Sequence, residues 1–205
     1  MTKTQKTALR RTGEAAKPKK QAAVAERPGS WHLARTETER RLSDFEFRLE
    51  RLAQAYYRWK AACLAAVCDV PLTGDDVAVL NVVRMGDEPK RLSEIGQLLN
   101  RVDVPNLQYA TRKLVRAGLI ETEGSSSRKE TRYRATATGR SVTEAYAALR
   151  AATLPPMLDA VDGWAAKSET ASLHLDLISS LYAQAAQVAI TRRHQPESGS
   201  NGRGR

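Results

Sequence analysis

The sequence has few of the residues from which several large protein classes are built. It holds two cysteines in 205 residues, Cys63 and Cys68, so no disulfide framework is available. Both are expected on one helix, about 140° apart around its axis, where they cannot easily share a ligand or bond to each other. Its three histidines, His32, His174 and His194, are spread along the chain, and the cysteines have no ligand partners at useful spacing, so no metal site is expected. Aromatics make up only 5% of the chain, while alanine is abundant, which favours helices over a sheet sandwich. No apolar run approaches the roughly 20 residues needed to cross a bilayer, and the basic N-terminus has no apolar core of a secretory signal. A phosphate-cradling glycine loop, a nucleophile–base pattern and a metal motif are all missing, so neither an enzyme nor a cofactor is expected. These absences lead to the expectation of a cytoplasmic protein without a membrane partner.

What remains is charge, and it is unevenly placed. The net charge of +10 resolves into +6 over residues 1–30 and +3 over residues 192–205, leaving +1 between them. Residues 1–30 and 192–205 have too little apolar surface to offset the entropy of ordering and are expected to be disordered tails. Residues 31–191 are expected to form one domain, with a distinct core at 73–139.

Within that domain, Leu42, Phe45, Leu49, Leu52, Tyr56, Trp59 and Cys63 alternate steps of three and four. That spacing predicts one long helix over 36–67 with a heptad seam, which a second long helix from a partner subunit would cover. Pro71 stops this run, and Thr73-Gly74-Asp75-Asp76 opens the next helix with a capping-box pattern, its apolar face carrying Val77, Leu80 and Val83. A short helix follows in LSEIGQLLN, with Ser93 as the expected N-cap and Ile95, Leu98 and Leu99 facing inward. After Asp103, a further N-cap candidate, a helix runs from Val104 to Ala117 and stops at Gly118. Strand-like runs at Leu119–Glu123 and Thr131–Thr136 flank a Gly-Ser-rich loop. Thr138 is expected to cap another helix that Pro155-Pro156 breaks, and a last helix is expected over Ser168–Ile190.

Short helices leading into a hairpin predict a mainly α winged helix-turn-helix with a small β-hairpin wing and long terminal dimerisation helices. On the 104–117 helix, Leu107, Ala110, Thr111, Leu114 and Val115 fall in one arc of about 140° that would face the core. The opposite arc carries Pro105, Asn106, Tyr109, Arg112, Lys113 and Arg116, with Gln108 at its edge. Asn106, Gln108, Tyr109 and Arg112 are the candidates for base edges, because amides pair with adenine and guanidinium with guanine. Lys113, Arg116, Arg128, Lys129 and Arg132 are the candidates for phosphates. Gly96 gives the minimal side chain where the two helices of the pair approach closely.

The stretches RLSEIGQLLN, LQYATRKLVRAGLIE and ATATGRSV, in this order and spacing, make residues 36–191 resemble the MarR family of winged-helix regulators. The resemblance implies a homodimer built through the terminal helices that reads pseudo-palindromic double-stranded DNA as a transcription regulator. It further implies a small aromatic effector near Phe45, Tyr56, Trp59 and Val79. The sequence departs from the family in the wing, where Ser127 and Lys129 replace an Asp-x-Arg pair, and at Tyr109, a position more often polar or basic.

Overall fold

The structure, a computed structural model, describes residues 32–124 and 131–193. The tail expected at 1–30, the tail expected at 192–205 from residue 194 on, and the wing-tip candidates Arg128 and Lys129 lie outside the described residues, while Arg192 and Arg193 belong to the last helix and not to a disordered tail. The chain divides into two compact units, one up to Trp59 and one from Lys60 onward, and helix α1 (Glu37–Ala65) runs across the division.

In the first unit Thr36 and Glu39 close a reciprocal cap. The Thr36 backbone N–H donates to the Glu39 carboxylate at 2.8 Å, and the Glu39 N–H donates to the Thr36 hydroxyl at 3.2 Å. Beyond it the heptad residues Leu42, Phe45, Leu52 and Tyr56 are exposed, an apolar seam left uncovered in the single chain. The helix ends before Val67, so Cys68 lies beyond it rather than sharing it with Cys63. Cys63 is buried and Cys68 half-buried, both as free thiols.

The second unit holds a three-helix cluster with a sheet at its edge. Helix α2 (Gly74–Arg84) starts at the Thr73–Asp76 capping box that its sequence announces. Helix α3 (Leu92–Leu98) begins one residue before Ser93, because the Glu94 carboxylate accepts the Arg91 backbone N–H at 2.7 Å and fixes Arg91 as the cap. Helix α4 (Val104–Arg116) carries Pro105 in its first turn, where the missing N–H has no intrahelical partner to lose.

Strands β1 (Lys90–Arg91), β2 (Ile120–Glu123) and β3 (Arg132–Ala135) form an antiparallel sheet in the order β1-β3-β2. The register sets Ile120 opposite Ala135, both buried at the root of the wing, and Glu121 opposite Arg134. Val79, Leu80, Val83, Ile95, Leu107, Ala110, Leu114, Leu119 and Ile120 make one apolar core that joins α2, α3, α4 and the sheet. At roughly 1.5–3 kcal/mol per large buried apolar side chain, this core is the main term holding α4 in place. Leu98, expected inside, is 52% exposed, since α3 ends there and only Leu99 turns towards the core.

Helix α5 (Ala137–Asp159) departs from expectation at both ends. Its N-cap is Thr136, whose hydroxyl accepts the Gly139 N–H at 3.0 Å, and not Thr138. It also runs through Pro155 and Pro156. The carbonyls that lose their donors belong to Ala151 and Ala152, both exposed, so water can take the place of the missing bonds. Helix α6 (Trp164–Arg193) is longer than its apolar pattern suggests. Among the described residues, no helix is long and apolar enough to cross a membrane.

Candidate nucleic-acid interface

The turn between α3 and α4 is folded back by backbone bonds. The Arg101 N–H donates to the Gly96 carbonyl at 2.8 Å, and Asn100 takes a left-handed conformation at φ 52°. A Cβ on Gly96 would stand 3.0 Å from the Arg101 carbonyl oxygen and 3.2 Å from Leu107 Cδ1, so the expected close approach is real. Gly118 ends α4 at φ +68°, a left-handed stop that turns the chain into β2.

The α4 faces divide nearly as their spacing predicts. Leu107, Ala110, Thr111 and Leu114 are buried, while Asn106, Tyr109, Arg112 and Arg116 are exposed and Gln108 is half-buried. Val115 is the exception: it turns outward at 37% exposure. It lines an open groove between α4 and the wing, of roughly 370 Å³, together with Arg112, Arg116, Thr122 and Tyr133. Its lining is mainly apolar, with Arg112 and Arg116 contributed by α4 and Thr122 and Tyr133 by the wing. Val102, in the turn ahead of α4, is 94% exposed, and Tyr109 is 58% exposed. Sequence reasoning missed Val102 and Val115, because periodicity gives a direction around the helix but not where the neighbouring layer ends.

Several of the expected contact residues are already engaged within the fold. The Asn106 amide donates to the Asp103 carboxylate at 3.0 Å, and Arg101 makes two hydrogen bonds to the same carboxylate at 2.9 and 2.7 Å. These bonds, the Arg101 one first, hold the Asp103 carboxyl well below the usual aspartate range. Asp103 stands at the N-cap, but its side chain serves Arg101 and Asn106 instead of the helix N–H groups. Lys113, expected on phosphates, is turned into the fold. Its ammonium lies 2.7 Å from the Asp76 carboxylate, and Asp76 is itself buried.

The wing differs in a similar way. Arg132 and Arg134 alternate on β3 and so share one strand face, but the register places Glu123 and Glu121 opposite them. Arg134 pairs with Glu121 at 2.7 Å, and Arg132 donates to the Pro89 carbonyl at 3.1 Å. A cationic run read along one strand is therefore partly compensated by the strand beside it. Arg112 and Arg116 remain as exposed cations on the outer face of α4, with the Arg116 Nε donating to the Arg112 carbonyl at 3.3 Å.

Among the expected effector residues, Val79 has no exposed surface and belongs to the winged-helix core. On α1, Phe45 is exposed and Trp59 half-buried, and Tyr56 stands 5.9 Å from Tyr57 and 6.3 Å from Trp59 between ring centroids.

Residues 72–139 match the family model of a winged helix DNA-binding domain, which takes in α2, α3, α4 and the whole wing. The chain is also similar to solved structures of bacterial regulators. Sco5413, a MarR family transcriptional regulator from Streptomyces coelicolor, shares 20% identity over 68% of this chain and 95% of its own, with a TM-score of 0.55. The chain has the winged-helix fold of the MarR-family regulators. AbfR of Staphylococcus epidermidis is 18% identical over 72% of this chain and 96% of its own, at a TM-score of 0.57. The M. tuberculosis transcriptional regulator MosR, solved in complex with DNA, is 17% identical over 70% of this chain and 96% of its own, at a TM-score of 0.52. No curated protein matches the chain. The winged helix accounts for the short α2–α3–α4 cluster and the sheet order, and α1 and α6 are the long helices that flank it in sequence.

Proposed function

We propose that this chain is a DNA-binding transcription regulator that acts as a homodimer on pseudo-palindromic operators. The observation that carries the reading is the outer face of α4. Asn106, Gln108, Tyr109 and Arg112 lie along it, with Arg112 and Arg116 bordering the groove beside the wing. Placed in a major groove, this face offers amide and guanidinium groups to base edges while the α4–wing groove seats a backbone segment. The match of residues 72–139 to a winged helix DNA-binding domain supports it, as do the DNA complexes of the similarly folded AbfR and MosR.

Two uncovered apolar helices support the dimer. On α6, Leu173, Leu177, Leu181 and Val188 are all more than half exposed, and the heptad seam of α1 is also open. Long apolar helix faces of this kind call for a partner surface. A small aromatic effector, bound against the Tyr56–Tyr57–Trp59 cluster of α1, would make the regulator responsive to its ligand.

The deciding experiment is a titration of the purified protein against fragments of its own promoter region and against scrambled DNA, each at two salt concentrations. Tight, sequence-selective binding is expected. Equal affinity for scrambled DNA would replace this reading with a non-specific, nucleoid-type binder. Absence of binding to any duplex would point to a winged helix used for protein contacts.

A further inference from the structure

Lys113 stands on α4 one position after Arg112, at the border between the buried and exposed arcs. Its ammonium donates to Asp76 Oδ2 at 2.7 Å. That same oxygen accepts the Thr73 backbone N–H and the Thr73 hydroxyl, each at 2.9 Å. Asp76 is 4% exposed, so the carboxylate has exchanged water for three protein donors. One residue earlier, Asp75 lies 3.4 Å from Arg101, whose guanidinium also grips Asp103 at the start of α4. The first turn of α2 thus presents two successive acids. One holds the entry to α4 through Arg101, and the other holds its middle through Lys113. Two fixed points define the direction of a rigid helix, which a packed apolar face alone leaves freer to slide.

We propose that Lys113 is a positioning residue for the recognition surface: with Asp76 it fixes the angle at which Asn106, Tyr109 and Arg112 are presented to DNA. The proposal rests on the DNA-binding reading for its consequence, though not for its geometry. Lys113 then contributes to operator selectivity without contacting a phosphate, and the acid Asp76, which has no affinity for DNA, matters as much as the lysine does.

The test compares full-length Asp76→Asn, Lys113→Met, their double variant and Lys113→Arg with the unaltered protein. The probes are a duplex that the unaltered protein selects from a random library and a scrambled duplex of equal length. Asp76→Asn and Lys113→Met are each expected to weaken binding to the selected duplex about tenfold, the scale of one lost base contact. Binding to the scrambled duplex and the salt slope should stay unchanged. The double variant should be no worse than either single one, and Lys113→Arg should restore selectivity. A phosphate contact would behave otherwise. Lys113→Met would then lower the salt slope by roughly 0.9 on every sequence, and Asp76→Asn would leave binding unchanged or strengthen it. That pattern would overturn the proposal.

Amide hydrogen exchange without DNA supplies an independent reading. Exchange in α4 should accelerate about tenfold in Asp76→Asn while α3 stays as protected as before. Equal acceleration in every core helix, or none at all, would also overturn the proposal. If Lys113→Met proves too unstable to purify, the near-isosteric Asp76→Asn alone carries both measurements. A protein that selects no duplex counts against the DNA reading only, and the exchange result still decides whether α4 is held by the pair.

Discussion

Gly139 lies so close to Leu119 that a Cβ built on it would stand 1.9 Å from the Leu119 carbonyl oxygen. This is where the first turn of α5 meets the root of the wing. Thr136 binds the two together: its N–H donates to the Leu119 carbonyl at 3.1 Å and its hydroxyl to the Gly118 carbonyl at 2.6 Å. The obstacle is backbone and cannot rotate away. Gly139→Ala should therefore cost at least about 1–3 kcal/mol, the usual range for overpacking a tight site. A urea unfolding midpoint unchanged from that of the unaltered protein would refute the contact.

Arg112 and Arg116 border the same groove but should respond differently. In the proposed reading Arg112 meets a base edge, so Arg112→Ala should cost about 1–3 kcal/mol and relax preference at one operator position. In the same reading Arg116 meets the DNA backbone, so Arg116→Ala should weaken all sequences alike and lower the salt slope by about 1. Binding measured on a selected duplex and its single-base variants, at several salt concentrations, separates the two. Uniform weakening by Arg112→Ala would remove it from base reading.

Local signals in the chain were legible in sequence, and long-range pairings were not. The Thr73–Asp76 capping box, the tight Gly96 and the left-handed Gly118 each have their cause within a few residues, and each stands where it was expected. The inward arc of α4 was legible for the same reason, apart from Val115 at its margin. The Lys113–Asp76 pair spans 37 positions, and no pattern along either helix announces it. The compensation of Arg134 by Glu121 depends on strand register, which a single strand does not contain. The proline pair inside α5 misled because a proline signals a break, yet two exposed carbonyls can be left to water.

The Asp103 carboxyl offers a pH test of the α4 entry. Hydrogen bonds from Arg101, then from Asn106, favour its charged form and depress its pKa in the folded state. A depressed folded pKa gives stability that is complete above the ordinary aspartate range and lost only as pH falls through the folded value. The turn at 101–106 should therefore hold until strongly acidic pH. Carboxyl carbon shifts measured by NMR should show Asp103 titrating below the ordinary aspartate range, and Arg101→Ala should move it back up. An Asp103 midpoint that ignores Arg101→Ala would refute this assignment.

The long helices offer the clearest test of assembly. On α6, Leu173, Leu177 and Leu181 recur every four residues and are 68%, 57% and 53% exposed in the single chain. Leaving such a stripe in water forgoes roughly 1.5–3 kcal/mol per side chain relative to burial, so covering it provides a large driving force for association. A charge placed there would have to be desolvated in any interface, at a cost of several kcal/mol. Leu177→Glu combined with Leu181→Glu should therefore convert the proposed dimer to monomers, read by sedimentation equilibrium, while the exposed positions leave the winged-helix core folded by circular dichroism. The monomer should retain weak binding to a half-operator and lose the tight binding that two linked modules provide. A double variant that sediments as the unaltered protein does would show that α6 is not the surface through which two copies meet.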